Sequence, residues 1–135
     1  MQHLSYPFDQ IAKLKITNGS KKILLEAELA SSEIEIYQSL NYRQPEEFIQ
    51  PLVLRFQNPD IQYFSQQSFA FPVVQVCAER KTGLVKRVAP IAVKANTGGN
   101  FIQCYSEFLL VLFLPPTAPI LKQIKTGATT IHFLK

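Results

Sequence analysis

The sequence has no tryptophan, one methionine, two cysteines and only 18% charged residues in 135 positions. So few cysteines exclude a disulfide-stapled scaffold. Cys77 and Cys104 each stand alone in an apolar or alternating segment, which fits two buried reduced thiols better than a disulfide. Histidine is equally scarce, and His3 and His132 offer no ligand-pair spacing with either cysteine, so no metal site is expected. A long apolar run is also missing. The strongest, Phe108 to Leu114, is closed by Pro115 and Pro116 after seven residues, whereas a membrane helix needs about 20. It reads as a buried segment, and no membrane partner is expected. The opening residues Met1-Gln2-His3-Leu4-Ser5-Tyr6-Pro7 lack the basic and then apolar regions of a secretory signal, so cytoplasmic synthesis is the expectation.

What is present is apolar: 47% of the residues are hydrophobic, too many for a disordered chain. The length suits one domain over 1–135, with residues 1–9 as an extended amino-terminal arm. The net charge of +4 is unevenly spread. Residues 1–79 hold six Lys/Arg against nine Asp/Glu, giving −3, and residues 80–135 hold eight against one, giving +7. Such asymmetry marks either an anionic partner or two complementary faces by which copies of one protein pack together.

Period-two alternation is the clearest local signal, because a strand sends successive side chains to opposite faces. Ile11 to Thr17 and Ile23 to Leu29 alternate around a turn at Asn18-Gly19 and predict a hairpin, with a helix over Lys21 to Leu29 as the alternative. Glu33-Ile34-Glu35-Ile36-Tyr37 alternates again and predicts a third strand, and Pro45-Glu46-Glu47-Phe48-Ile49 suggests one short helical turn. Leu52 to Phe56 reads as a strand, and Ile61 to Phe71 as a loop with aromatic anchors or an irregular edge strand. Val73 to Arg80 and Leu84 to Lys94 form a second hairpin through Lys81-Thr82-Gly83, with Pro90 requiring an edge or a bulge. Phe101 to Leu114 should be a central strand, and Thr129 to Leu134 the last one. The fold class expected is all-β: an antiparallel β-sandwich or small barrel of about seven to eight strands, with at most one short helix near residues 45–50.

Motifs for chemistry are weak. No Gly-x-Ser-x-Gly occurs, and Lys81-Thr82-Gly83 and Lys125-Thr126-Gly127 match one element of penicillin-recognising enzymes without its companions, so they read as two turns. The adjacent Glu46 and Glu47 are explained by the dipole of a helical first turn, and Thr97-Gly98-Gly99-Asn100 lacks the lysine of a phosphate cradle. No catalytic residue, cofactor-binding residue or cofactor is therefore assigned, and the chain is expected not to be an enzyme.

Two binding readings remain. Arg80, Lys81, Lys86, Arg87 and Lys94 cluster on one predicted hairpin and are candidates for neutralising the phosphates of a single nucleic-acid strand, with nearby aromatics stacking on bases. Lys86 and Arg87 are adjacent, however, and should point to opposite faces unless a bulge intervenes. The preferred reading is a structural or assembly protein acting through protein–protein contacts, as a homo-oligomer and with other proteins of a larger assembly. Phe69, Phe71, Pro115, Pro116 and Ile120 are its candidate contact residues, apolar groups on stiff irregular backbone. The short β-domain with Gly-Thr turns and long hairpins resembles small virion components such as phage capsid cement or tail and baseplate proteins. A third possibility is a small-ligand barrel with the aromatics of residues 63–71 at its mouth.

Overall fold

The alternation of the first hairpin is realised directly. The computed structural model describes residues 4–56, 63–66, 71–91, 102–105 and 108–134, with 63–66, 102–105, 108 and 109 described by backbone alone. Strands β1 (Ile11–Asn18) and β2 (Lys21–Ala30) pair antiparallel, with Leu14 opposite Leu25 and Ile16 opposite Ile23 on the inner face. The turn residues are Gly19 and Ser20, one position later than Asn18-Gly19, because Asn18 still pairs with Lys21. Gly19 alone takes positive φ, at 61°, as the first central residue of a II′ turn does.

The segment expected as a third strand is helix α1 (Glu33–Gln38). Ser32 accepts the Glu35 N–H while the Glu35 carboxylate accepts the Ser32 N–H, a reciprocal capping box that overrides the alternation. Ile36 of the helix and Leu40 just beyond its end pack into the outer core, whereas a strand would have placed Ile34 with Ile36. A 3-10 turn at Pro45–Glu47 follows where one helical turn was expected, and the chain enters β3 (Leu52–Arg55) parallel to β2. This parallel pair corrects the all-antiparallel expectation: the excursion through residues 31–51 is long enough for a crossover.

Strand β4 (Tyr63–Gln66) pairs with β7 (Ile102–Tyr105) in a separate two-stranded sheet. The run expected as one strand over Phe101–Leu114 is therefore divided into β7 and β8 (Phe108–Leu114). Strands β5 (Val73–Glu79) and β6 (Val85–Ile91) make the second hairpin, and β9 (Thr129–Phe133) follows a second 3-10 segment at Pro119–Gln123. The helical content thus exceeds the single short helix expected near 45–50. The main sheet is seven-stranded and mixed, mostly antiparallel, in the order β6-β5-β8-β3-β2-β1-β9. Pro90 lies on β6, at an end of that order, where its missing N–H costs no ladder bond.

Each face of this sheet feeds its own core. The inner core takes Leu14 and Ile16 from β1, Ala27 and Leu29 from β2, Val53, Val74, Val76, Leu110, Leu112, Leu114 and, from β9, Ile131. The outer core takes Leu52, Leu54, Val73, Cys77, Val111 and Phe113, covered by Phe8, Leu40, Phe56 and Phe71. Residues Leu110 to Leu114 are completely buried because β8 lies mid-sheet with apolar neighbours on both faces, which is why its sequence is apolar without alternation. Each such side chain contributes about 1.5–3 kcal/mol through burial. Among the described residues, no helix is long and apolar enough to cross a membrane.

The ends of the strand order also touch. Leu84 bridges Thr130, Ile131 donates its N–H to the Gly83 carbonyl at 2.8 Å, and Gly127 donates to the Val85 carbonyl at 2.9 Å. Gly83 has φ 73°, and a Cβ there would stand 2.5 Å from the His132 ring, so glycine is required at this junction by both conformation and space.

Candidate functional site

The most elaborate polar arrangement in the described structure lies over the outer core, where residues 4–10, α1 and residues 39–50 form a covering layer. Glu28 belongs to the outward parity of β2 with Glu26, yet it is fully buried because the layer closes over it. Its carboxylate receives Arg43 Nη1 at 2.7 Å and Nη2 at 2.8 Å, a two-pronged ion pair, and the Phe8 N–H at 2.8 Å. Arg43, equally buried, spends its remaining Nη protons on the Glu47 carbonyl (3.1 Å) and the Ser39 carbonyl (3.2 Å). The guanidinium carbon lies 4.1 Å from the Tyr6 ring centroid and 5.3 Å from that of Phe8.

Backbone geometry is bent to make this possible. Ser39 (φ 42°) and Tyr42 (φ 60°) are the non-glycine residues with positive φ among those described, and they flank the turn that drives Arg43 inward. The arm is held further by a reciprocal pair, Leu4 N–H to Gln38 Oε1 and Gln38 Nε2 to the Leu4 carbonyl, both 2.7 Å. The Tyr6 hydroxyl donates to the Asn41 carbonyl. Burial raises the Tyr6 phenol above its ordinary pKa, opposed by Gln38 and by the Arg43 charge. Every face of the Glu28–Arg43 pair is occupied by protein. Its chemistry is therefore that of a clasp, which joins arm, helix and loop to β2 and leaves no oxygen for a substrate.

The outer surface of this layer carries Leu4, Ile34, Tyr37, Tyr42 and Ile49, five of the eight large apolar side chains exposed among the described residues. Tyr42 and Ile49 are 64% and 70% exposed. Most of the candidate contact residues lie elsewhere. Phe71 is buried and stacked on Phe48 at 5.1 Å, so it serves the protein's own core. Ile120 packs partly against the inner core, Pro115 is half-buried and Pro116 exposed, and Phe69 lies outside the described residues.

The basic hairpin is brought together in part. Cys77 pairs with Arg87 but Ala78 with Val85, so Lys86 is the extra residue of a bulge and both Lys86 and Arg87 reach solvent. Lys81 is exposed, whereas Arg80 turns its guanidinium to the Phe56 carbonyl at 3.0 Å. Lys94 lies outside the described residues, as do the side chains at 63–70 invoked for a ligand mouth. Lys86 approaches Glu79 at 3.5 Å. Burial pushes the Cys77 thiol up to about 12, and Cys77 is a free cysteine. Among the described residues, no group of three His, Cys, Asp or Glu side chains is arranged to hold a metal ion.

The comparisons with known proteins speak to the fold. No protein-family model matches the chain, and no curated protein is significantly similar to it. Solved structures do resemble it. A protein of unknown function from Novosphingobium aromaticivorans DSM 12444 has a TM-score of 0.70 at 17% identity, over 96% of this chain and 91% of that one. A protein described as a putative transcription regulator from Sinorhizobium meliloti 1021 has a TM-score of 0.65 at 17% identity, over 98% of each chain. The likeness extends along nearly the whole chain, so this strand arrangement also occurs in those two proteins.

Sequence reasoning missed Glu28 and Arg43. Glu28 reads as one more outward carboxylate beside Glu26, and nothing local distinguishes a position that residues twenty places away will cover.

Proposed function

We propose that this chain is a non-enzymatic structural domain that works through protein–protein contacts, as a homo-oligomer and as a component of a larger assembly such as a virion. The observation that carries the reading is the concentration of exposed apolar side chains, Ile34, Tyr37, Tyr42 and Ile49, on a layer fastened by a fully buried ion pair. Apolar groups on immobile backbone bind with little ordering cost, the property of a contact surface. We also read the main sheet as a barrel rather than a sandwich. One inner core receives side chains from strands across the whole order, and Leu84 and Thr130 bridge its two ends. Molar mass by light scattering over a dilution series, together with what copurifies, tests the functional reading. Association, or a stoichiometric partner, is expected; a strict monomer without partner would refute it.

A second reading, a single-strand nucleic-acid binder, is favoured by the bulge that exposes both Lys86 and Arg87. The description of the Sinorhizobium protein as a putative transcription regulator points the same way, but 17% identity carries the fold alone. Lys81→Glu with Arg87→Glu should abolish salt-sensitive binding of a labelled oligonucleotide on this reading; absence of such binding to the unaltered protein removes it.

A further inference from the structure

The junction between the two ends of the main sheet is cationic on both sides. Lys81, Lys86 and Arg87 stand on the hairpin side, and Lys15 and Lys125 on the other. All are exposed except the half-buried Lys15, and among the described residues Glu79 is the one carboxylate within ion-pair distance of any of them. Lysines on a strand edge usually guard unpaired backbone from aggregation. That explanation is weaker here, because Gly83, Leu84 and Val85 already bond to the Gly127–Ile131 stretch.

The covering layer has the opposite sign. Asp9, Glu33, Glu35, Glu46 and Glu47 belong to it, and its one cation, Arg43, is neutralised by Glu28. This layer is fastened to β2 through Glu28 and covers β3 and β8 in the middle of the strand order, whereas Lys81, Lys86, Arg87 and Lys125 stand where the two ends of that order meet. Among the described residues, no carboxylate of the layer forms an ion pair with any of these cations. We infer that copies of this chain associate head to tail, the acidic covering layer of one seated on the cationic junction of the next, an inference that rests on the assembly reading above. Such a contact is heterologous and builds rings or open chains rather than a closed symmetric pair. Apolar groups accompany the charges on each side: Tyr37 and Tyr42 on the layer, and Leu24 (69% exposed) across from Lys15 at the junction. A nucleic-acid strand fits these observations less well, because stacking requires aromatics beside the cations. Among the described residues the exposed aromatics stand with the carboxylates instead.

The test is charge exchange between the two surfaces. One variant carries Lys81→Glu and Lys125→Glu, another Glu33→Lys and Glu46→Lys, all at exposed positions, with retained melting curves showing that each is folded. Sedimentation of the unaltered protein should show association that weakens about tenfold or more between 50 mM and 500 mM salt, as expected when attraction between exposed charges is screened. Each variant alone should be monomeric, and their equimolar mixture should associate again. Should either variant fail to fold, the neutral pairs Lys81→Gln with Lys125→Gln and Glu33→Gln with Glu46→Gln replace both, each expected to weaken association alone. Their mixture, which keeps one unaltered contact between the layer of the first and the junction of the second, should recover 1:1 pairs and no longer assemblies. Association insensitive to salt and to every substitution would overturn the head-to-tail contact while leaving the assembly reading intact. A monomer at all concentrations would overturn both. A monomer that binds oligonucleotide through Lys81 and Lys125 assigns the junction to nucleic acid and also refutes the inference.

Discussion

Arg43→Met keeps most of the length and apolar stem of the side chain and removes only the guanidinium. Glu28, fully buried, loses two charge-assisted bonds at 2.7 and 2.8 Å and keeps only the Phe8 N–H as partner. The Ser39 and Glu47 carbonyls lose a donor as well. Breaking a buried ion pair from one side costs about 3–5 kcal/mol, because the surviving charge is stranded. Unfolding entropy of about 2.1 cal/mol/K per residue then translates this, for 135 residues, into a fall in Tm of roughly 10–18 °C. The double variant Glu28→Leu with Arg43→Met removes both charges and should recover about 2 kcal/mol of the loss. About 1–3 kcal/mol should remain, since the buried Phe8 N–H is left without its acceptor. Urea titrations of the four proteins of this cycle measure both quantities, and hydrogen exchange at the Phe8 amide reports whether the arm has loosened. A single variant within about 1 kcal/mol of the unaltered protein, or a double variant as unstable as the single, would refute the clasp.

Other predictions concern separate features. Gly83→Ala should cost about 1–3 kcal/mol through strain and contact with the Ile131 carbonyl 2.8 Å away. Gly19→Ala, with nothing within 4 Å, should cost about 1 kcal/mol from its φ alone; paired melts separate the two. Ser32→Ala removes the hydroxyl of the capping box and should lower stability by about 1 kcal/mol, read by the same melts. The Cys77 thiol, held up to about 12 against an ordinary 9.0, should resist alkylation at pH 8 until the protein unfolds. The sign for stability follows: the unfolded thiol ionises first, so the contribution of Cys77 is intact below pH 9 and is lost as pH rises from 9 toward 12. Rapid labelling of folded protein at pH 8 would contradict this burial.

The parts of the fold legible in the sequence are those with a local physical cause. Alternation over β1 and β2, the glycine turns at Gly19 and Gly83, the edge position of Pro90 and the central position of the Phe108–Leu114 run all follow from side-chain parity, φ or apolarity within a few residues. The helix at Glu33–Gln38 had a local signal too, the Ser32–Glu35 pair, but Glu-Ile-Glu-Ile alternation competes with it, and the buried contacts of Ile36 and Leu40 arbitrate. The parallel step from β2 to β3 had no local signal, because strand direction is decided by where the intervening segment packs.

For the candidate site the division is sharper. Composition and periodicity by themselves determined a mostly β protein, an apolar central strand and a chain whose two halves differ in charge. Only the tertiary structure decided that Glu28 and Arg43 are buried together, that a bulge exposes Lys86 and Arg87, and that β9 brings His132 beside Gly83 of the basic hairpin. The reason is range. Alternation and turn chemistry act between neighbours in sequence, whereas burial of a charge and the sign of a surface depend on which distant segments fold over the same face of a sheet.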